Sequence, residues 1–118
     1  MSFKNSKSNK NETIEHFTTK TLVWKCCLEI NHKAHIEYII PGTGVFDVFD
    51  ETTGVIYEVE PRFDAKKQQA KWNQYKTLSG VNDIVIVPYK KIMKDVGELP
   101  LCRQTLWKWV KEIKKYIN

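Results

Sequence analysis

Apolar residues recur at helical spacing near the beginning of the chain. This pattern predicts a helix from Asn11, which suits an N-cap, to about Asn31, which suits the left-handed turn at a helix end. The predicted inner stripe of this helix consists of Ile14, Phe17, Thr21, Trp24 and Leu28.

Three short segments that follow alternate between apolar and polar side chains and are rich in β-branched residues. They cover residues 34–40, 45–50 and 55–60, and the turn sequences "PGTG" and "ETTG" separate them. The pattern predicts a meander of three strands. Pro61 ends the third strand, because proline has no N–H for a sheet ladder.

The second half of the chain alternates between helix and strand. Asp64 suits the N-cap of a helix that runs to about Ser79, with Gly80 after its end. Residues 83–88 are almost entirely apolar, which is typical of a parallel strand covered on both faces. An irregular link then leads to a final helix from about Arg103. The predicted buried residues are Ala65, Trp72, Tyr75 and Leu78 in the first of these helices and Leu106, Trp109, Val110, Ile113 and Ile117 in the second.

These elements predict an α/β fold in the order α-β-β-β-α-β-α, with a mixed central sheet flanked by helices. We expect a flexible basic tail at residues 1–11 and a single domain at residues 12–118. No apolar run approaches the roughly 18 residues of a membrane span, and no secretion signal is apparent. The three cysteines have neither zinc-site nor disulfide spacing. We therefore expect a cytoplasmic protein that does not associate with membranes.

The net charge of +5 is unevenly distributed along the chain. Residues 61–76 and 103–118 each carry five basic residues and one acidic residue, whereas residues 34–60 carry six acidic residues and neither lysine nor arginine. Lysines on helices usually form a solvated face. The functional alternative is a polyanionic partner such as nucleic acid.

The acidic centre contains two carboxylates that face each other if the second and third strands pair around residues 51–54. In that register Asp50 faces Val55 and Asp47 faces Glu58. Glu60 then lies on the same face as Glu58, because side chains alternate along a strand. Glu37, on the first strand, is expected on the opposite face from Asp47.

Two carboxylates about 5 Å apart repel each other by roughly 3 kcal/mol, so something must compensate them. Protonation of one group, neighbouring lysines or a divalent cation would do so. A hard cation such as Mg²⁺ prefers oxygen ligands, which Asp47, Glu58 and the peptide carbonyl of Val59 offer. The alternative is a salt-bridged strand pair at a solvent-facing surface.

The segments "GVFDV" and "YEVE", followed by a basic helix with "KKQQAKWNQY", resemble the PD-(D/E)xK nucleases, which have the restriction-endonuclease-like fold. This superfamily includes archaeal Holliday-junction resolvases, restriction enzymes and repair nucleases. The element order resembles that core over roughly residues 12–110. The sequence departs from the motif at two positions, since Phe46 replaces the proline and Glu60 stands where the lysine is expected.

The resemblance implies roles for individual residues. Asp47 and Glu58 match the acidic motif residues, and Glu12 or Glu15 is the candidate acid on the first helix, where His16 and Lys20 line one side. The implied catalytic residues are Asp47, Glu58, Glu60, Lys67, Lys71 and Glu15, with Lys67 or Lys71 replacing the motif lysine. The implied nucleic-acid contacts are Arg62, Lys66, Lys67, Lys71 and Tyr75.

The implied function is a Mg²⁺- or Mn²⁺-dependent endonuclease that hydrolyses phosphodiester bonds in DNA. We expect cleavage that is selective for the structure of the DNA, and we expect the chain to act as a homodimer. One alternative is a nucleic-acid-binding module on the same fold that lost catalysis together with the motif lysine. A second alternative is an unrelated carboxylate-pair enzyme such as a retaining glycosidase, which leaves the basic flanks unexplained.

Overall fold

A computed structural model describes residues 12–117 of the chain. These residues form an α/β fold with one four-stranded sheet and four helices. The elements are α1 (Ile14–Glu29), β1 (Ala34–Ile40), β2 (Gly44–Asp50), β3 (Val55–Glu60), α2 (Ala65–Tyr75), β4 (Asp83–Pro88), α3 (Tyr89–Val96) and α4 (Arg103–Lys114). The tail predicted at residues 1–11 lies outside the described residues.

The sheet is mixed, as the sequence predicts. Its strand order is β1-β2-β3-β4, with antiparallel pairing among the first three strands and parallel pairing between β3 and β4. The predicted register around residues 51–54 is confirmed at Asp50↔Val55 and Val48↔Tyr57. The three strands predicted at 34–40, 55–60 and 83–88 have those bounds, and β2 starts one residue earlier than predicted.

Helix α1 differs from its prediction in both its start and its buried face. Thr13, not Asn11, caps the helix, and its side chain accepts a hydrogen bond from the His16 N–H at 3.1 Å. The predicted stripe is wrong along its whole length, since Ile14, Phe17 and Leu28 are 66%, 55% and 41% exposed and Thr21 and Trp24 are half-buried. Because apolar residues lie on several sides of this helix, their spacing alone does not select one face. The face that is buried consists of Thr19, Lys20, Leu22, Val23, Cys26 and Cys27.

Helix α2 begins where predicted, because the Asp64 side chain accepts from the N–H groups of Lys66 and Lys67. It ends earlier than Ser79, at Tyr75. Among the residues predicted to be buried, Tyr75 is buried, Trp72 and Leu78 are half-buried, and Ala65 is exposed.

The segment predicted as an irregular link contains an additional helix, α3, that starts directly after β4. Gly97 ends it in a left-handed conformation with φ 97°. Helix α4 starts at Arg103 as predicted. Its inner side buries Trp109, Val110 and Ile113, whereas Leu106 is 37% exposed, contrary to the prediction.

Two hydrophobic clusters lie against the sheet. The larger cluster joins α1, α3 and α4 to the sheet and contains Trp109, whose indole N–H donates to the Glu98 carbonyl at 2.7 Å. The smaller cluster includes Phe46, Ile56 and Tyr75 and joins α2 to the sheet. None of the helices within residues 12–117 is long and apolar enough to cross a membrane.

Candidate active site

The two strands that carry the candidate carboxylates separate where those carboxylates lie. The β2–β3 ladder ends at Val48↔Tyr57, so Asp47 and Glu58 do not continue it as backbone partners. Instead, each carboxylate accepts a backbone N–H from the other strand. The Asp47 N–H donates to Glu58 Oε2 at 3.0 Å, and the Val59 N–H donates to Asp47 Oδ2 at 2.8 Å. These two bonds replace ladder bonds and hold the two acidic side chains together.

Glu58 is the more buried of the two acids. It is 5% exposed, whereas the Asp47 side chain is 22% exposed. Burial raises the pKa of Glu58, and the neighbouring Asp47 charge raises it further, while Lys71 acts in the opposite direction. The site therefore holds a carboxyl group whose charged form is disfavoured by its surroundings, which is frequent at functional sites.

Two lysines of α2 reach the acids of β3. Lys71 Nζ lies 2.8 Å from Glu58 Oε1, and Lys67 forms an ion pair with Glu60. Burial works to lower the pKa of Lys71, but Glu58 and then Glu60 outweigh it and the pKa is raised. Because the lysines are four residues apart, one face of α2 delivers both. We call Asp47, Glu58 and Glu60 the carboxylate cluster.

Tyr75 continues the same face of α2 but lies in the core. It is 6% exposed, and its ring packs edge-on against Phe46 at a centroid distance of 4.8 Å. Burial raises the pKa of its hydroxyl. Arg62 and Lys66, the other predicted nucleic-acid contacts, are exposed, Arg62 just after β3 and Lys66 in the first turn of α2.

Helix α1 contributes a second set of charges, which approaches Asp47 from the other side. His16 Nε2 lies 3.6 Å from Asp47 Oδ2, and His16 Nδ1 bonds to Glu12. Lys20 Nζ lies 2.7 Å from Glu12 Oε2 and 2.6 Å from Glu37 Oε2. Lys20 is 2% exposed, so this buried lysine is balanced by two carboxylates.

Of the two candidate acids on the first helix, Glu12 is the one that reaches the site. Among residues 12–117, no hydrogen bond or ion pair joins the Glu15 carboxylate to the carboxylate cluster, and its backbone carbonyl accepts from Thr19. Sequence spacing did not separate the two, because it did not show that α1 begins only after Thr13 and that Glu12, before this N-cap, pairs with His16 and Lys20.

The expectation that Glu37 lies on the opposite face from Asp47 is wrong. The ladder pairs Ile36 with Val48 and Tyr38 with Phe46, which leaves Glu37 and Asp47 between paired positions. Both side chains approach α1, Glu37 at Lys20 and Asp47 at His16. The turn closes at Ile40↔Gly44, which sets this register. Glu37 has a positive φ of 52°, an uncommon conformation for a residue other than glycine.

Sequence reasoning also missed Phe63, which is 57% exposed between Arg62 and Lys66. An apolar residue just before an N-cap commonly packs against the fourth residue of the helix. Here that residue is Gln68, whose amide donates to the Ile84 carbonyl at 3.0 Å. The polar character of Gln68 was a signal in the sequence that Phe63 has no such partner.

The donor set fits a hard divalent cation in its chemistry. Among residues 12–117, no group of three or more His, Cys, Asp or Glu side chains is arranged to hold a metal ion. Mg²⁺, however, is usually bound by one or two carboxylates plus waters and substrate phosphates. Asp47 Oδ1 accepts no hydrogen bond from residues 12–117, so this oxygen keeps its capacity for an external ligand.

The carboxylate cluster does not line either of two cavities between α1 and α4. These measure about 560 Å³ and 630 Å³, and Trp107 lines both. The cluster instead has Lys67 and Lys71 as its basic neighbours on α2, with side chains that are 49% and 21% exposed.

The chain matches no protein-family model, no curated protein and no solved structure. The resemblance to PD-(D/E)xK nucleases therefore stays a prediction from the motif residues of the sequence.

Proposed function

We propose that the chain is a metal-dependent endonuclease that hydrolyses phosphodiester bonds in DNA and has the restriction-endonuclease-like fold. The observation that carries the proposal is the reciprocal bonding of Asp47 and Glu58 to each other's strands, with Lys71 beside Glu58. This bonding keeps two carboxylates, which can ligate a metal ion, close to the ammonium group of Lys71 at the point where β2 and β3 separate.

In this proposal Asp47 and Glu58 hold Mg²⁺ or Mn²⁺, and the carbonyl of Val59 is a third candidate ligand. When bound, the ion supplies Lewis-acid polarisation of the phosphate and a more acidic water. Glu60 accepts a proton from the attacking water, because it is the remaining carboxylate of the cluster.

The lysines of α2 have an electrostatic role in the proposed reaction. Lys71 stabilises negative charge that develops on the phosphate, and Lys67 assists it. Both are already held beside the cluster by their ion pairs with Glu58 and Glu60. Glu12 takes the place proposed for the acid of the first helix, because it and not Glu15 connects to His16 and Lys20.

The exposed basic residues next to the cluster suit the backbone of DNA, since lysine and arginine neutralise phosphates. Arg62 and Lys66 lie on the segment that joins β3 to α2. We propose that two copies of the chain act as a homodimer, since two-fold dimers are the commonest assembly and a duplex has two strands to cut.

A second candidate function is a nucleic-acid-binding module without catalysis. The ion pairs Lys71–Glu58 and Lys67–Glu60 favour it, because they already neutralise two of the three acids of the cluster. In that case the carboxylates serve to fix the basic side chains of α2, and no cation is needed.

A cleavage assay separates the two candidates. Labelled duplex and branched DNA are incubated with the chain in Mg²⁺, in Mn²⁺ or in EDTA. We expect cleavage with either cation, none in EDTA, and none by Asp47→Ala in any condition. The control is Asp95→Ala, which removes an exposed carboxylate that pairs with Lys91 on α3. DNA binding without metal-dependent cleavage would reject the nuclease and support the binding module.

A further inference from the structure

We infer that Phe63 stacks on an unpaired base, so that the substrate class of the proposed site is nucleic acid with a single-stranded segment. This inference rests on the proposed function, because it assumes that the basic surface beside the carboxylate cluster binds nucleic acid. It adds a recognition residue and distinguishes unpaired nucleic acid from continuous duplex.

Phe63 has no role in the hydrophobic core. It is 57% exposed and belongs to neither of the two hydrophobic clusters. It also has no apolar partner on α2, because the residue to which it would be stapled is Gln68. An aromatic ring that contributes so little to folding is available for a ligand.

The segment that carries Phe63 is anchored on both sides of the ring. On one side the Lys90 N–H donates to the Pro61 carbonyl at 3.1 Å. On the other side Asp64 Oδ1 accepts from the N–H groups of Lys66 and Lys67 at 3.0 Å and 3.2 Å. The ring is therefore presented on a fixed support, which reduces the entropy lost when a base binds.

The distance to the cluster suits contact with one bound strand. Phe63 follows Glu60 by three residues, so their Cα atoms are at most about 11 Å apart. A base on Phe63 and a phosphate at the cluster can therefore belong to the same strand, one to two nucleotides apart.

The charges around Phe63 suit a polyanion. Arg62, Lys66, Lys67 and Lys90 lie near it in the chain or bond to its segment, and all four are exposed. Two acidic residues lie among them: the Asp64 carboxylate caps α2, and Glu60 pairs with Lys67. Proteins that bind single strands combine a basic surface with aromatic rings on which bases stack. In a duplex the bases are already stacked, so an exposed ring gains a partner only where a base is unpaired.

The inference is tested by binding in EDTA, where the proposed cleavage cannot occur. Fluorescence anisotropy measures the affinity for a labelled oligothymidine of about 12 nucleotides and for a duplex of equal length, at about 50 mM salt. We expect Phe63→Ala to weaken binding of the single strand about tenfold and to leave duplex binding unchanged. Phe63→Tyr keeps the ring and should keep the affinity.

The matched control is Phe17→Ala, since Phe17 is 55% exposed and lies on α1, not on the segment that joins β3 to α2. We expect no change in either affinity. An equal loss for both ligands in Phe63→Ala, or no loss for the single strand, would overturn the stacking role. Metal-dependent cleavage that persists beside such a result would leave the nuclease proposal standing.

The experiments also distinguish the opposite case, in which Phe63 binds a base but the chain is not a nuclease. A ring-dependent preference for single strands, in a chain that never cleaves DNA with Mn²⁺, would support the inference and reject the nuclease. A chain that binds neither ligand would reject both.

Discussion

Strand β2 contains the triplet Val-Phe-Asp twice in succession, and its two aspartates have different environments. Asp50, at the end of the second triplet, is fully buried. Its Oδ1 accepts from the N–H groups of Thr52 and Thr53 at 3.1 Å and 3.4 Å, and its Oδ2 lies 2.6 Å from His32 Nδ1. Both oxygens of Asp50 are therefore used by the chain itself, Oδ1 to close the β2–β3 turn and Oδ2 to bond to His32.

Asp47, at the end of the first triplet, is partly exposed and uses one oxygen. Its Oδ2 accepts from the Val59 N–H and lies 3.6 Å from His16 Nε2, while Oδ1 accepts no hydrogen bond within residues 12–117. The regular alternation of side chains is interrupted at Asp47, since Phe46 and Phe49, also three residues apart, pack in the same hydrophobic cluster. Identical local sequence thus gives one structural aspartate and one with capacity for a ligand.

The largest expected difference between them is in stability. Asp50→Ala leaves two N–H groups and His32 without their buried acceptor, so we expect the free energy of unfolding to fall by about 3–5 kcal/mol. Asp47→Ala removes the acceptor of one N–H, that of Val59, and should cost about 1–3 kcal/mol. Urea denaturation of both variants measures the two losses. Equal losses would show that Asp47 is as structural as Asp50.

A second difference concerns the acid that faces Asp47 across the separated strands. The pKa of Glu58 is raised above 4.5 by burial and by Asp47. The stability that protonated Glu58 contributes is thus complete below pH 4.5. It is lost as the pH rises through the raised pKa. Glu58→Gln, which has no such loss, should gain stability relative to the wild type over that pH range, by about 1.4 kcal/mol for each pH unit of the shift.

Urea denaturation at pH values from 4.5 to neutral measures this gain. In an Asp47→Asn background the gain should be smaller, because one of the two causes of the raised pKa is absent. A difference between Glu58→Gln and wild type that stays constant with pH would contradict the assigned environment of Glu58.

The sequence was sufficient to predict the strands and the approach of Asp47 to Glu58. Alternation and turn residues determine a meander, and the register at Asp50↔Val55 then brings the two acids together. The reciprocal backbone bonds were not predictable, because they depend on the separation of β2 from β3 after Val48. That separation is a property of the packed sheet.

The parts of the site that come from α1 were less predictable. Glu12 lies before the N-cap of α1 and pairs with His16 and Lys20, and the helix buries Lys20 where spacing favoured Phe17. Lys20 can be buried because Glu37 and Glu12 balance its charge. Such compensation joins residues that are distant in the chain, so no local pattern signals it.

The histidine beside Asp47 offers a third test of the comparison. Burial works to lower the pKa of His16, but Asp47 and then Glu12 outweigh it, and the pKa is raised above 6.5. The stability that protonated His16 contributes is therefore complete below 6.5 and is lost as the pH rises through the raised value. Asp47→Asn should lower the pKa of His16, as measured by NMR titration of its ring in EDTA.

Asp50→Asn is the control for this titration, because Asp50 bonds to His32, whereas His16 lies beside Asp47. It should leave the His16 titration unchanged. If Asp47→Asn also leaves it unchanged, the 3.6 Å approach of the ring to Asp47 is not maintained in solution.

The smallest expected effect is the coupling between Lys67 and Glu60. Their side chains are 49% and 17% exposed, whereas those of Lys71 and Glu58 are 21% and 6% exposed. Water screens the first pair more strongly, so a double-mutant cycle with alanine should give about 0.2–1 kcal/mol. The same cycle on Lys71 and Glu58 should give about 1–3 kcal/mol. A stronger coupling in the exposed pair would mean that Glu60, and not Glu58, is the acid whose charge the lysines of α2 chiefly balance.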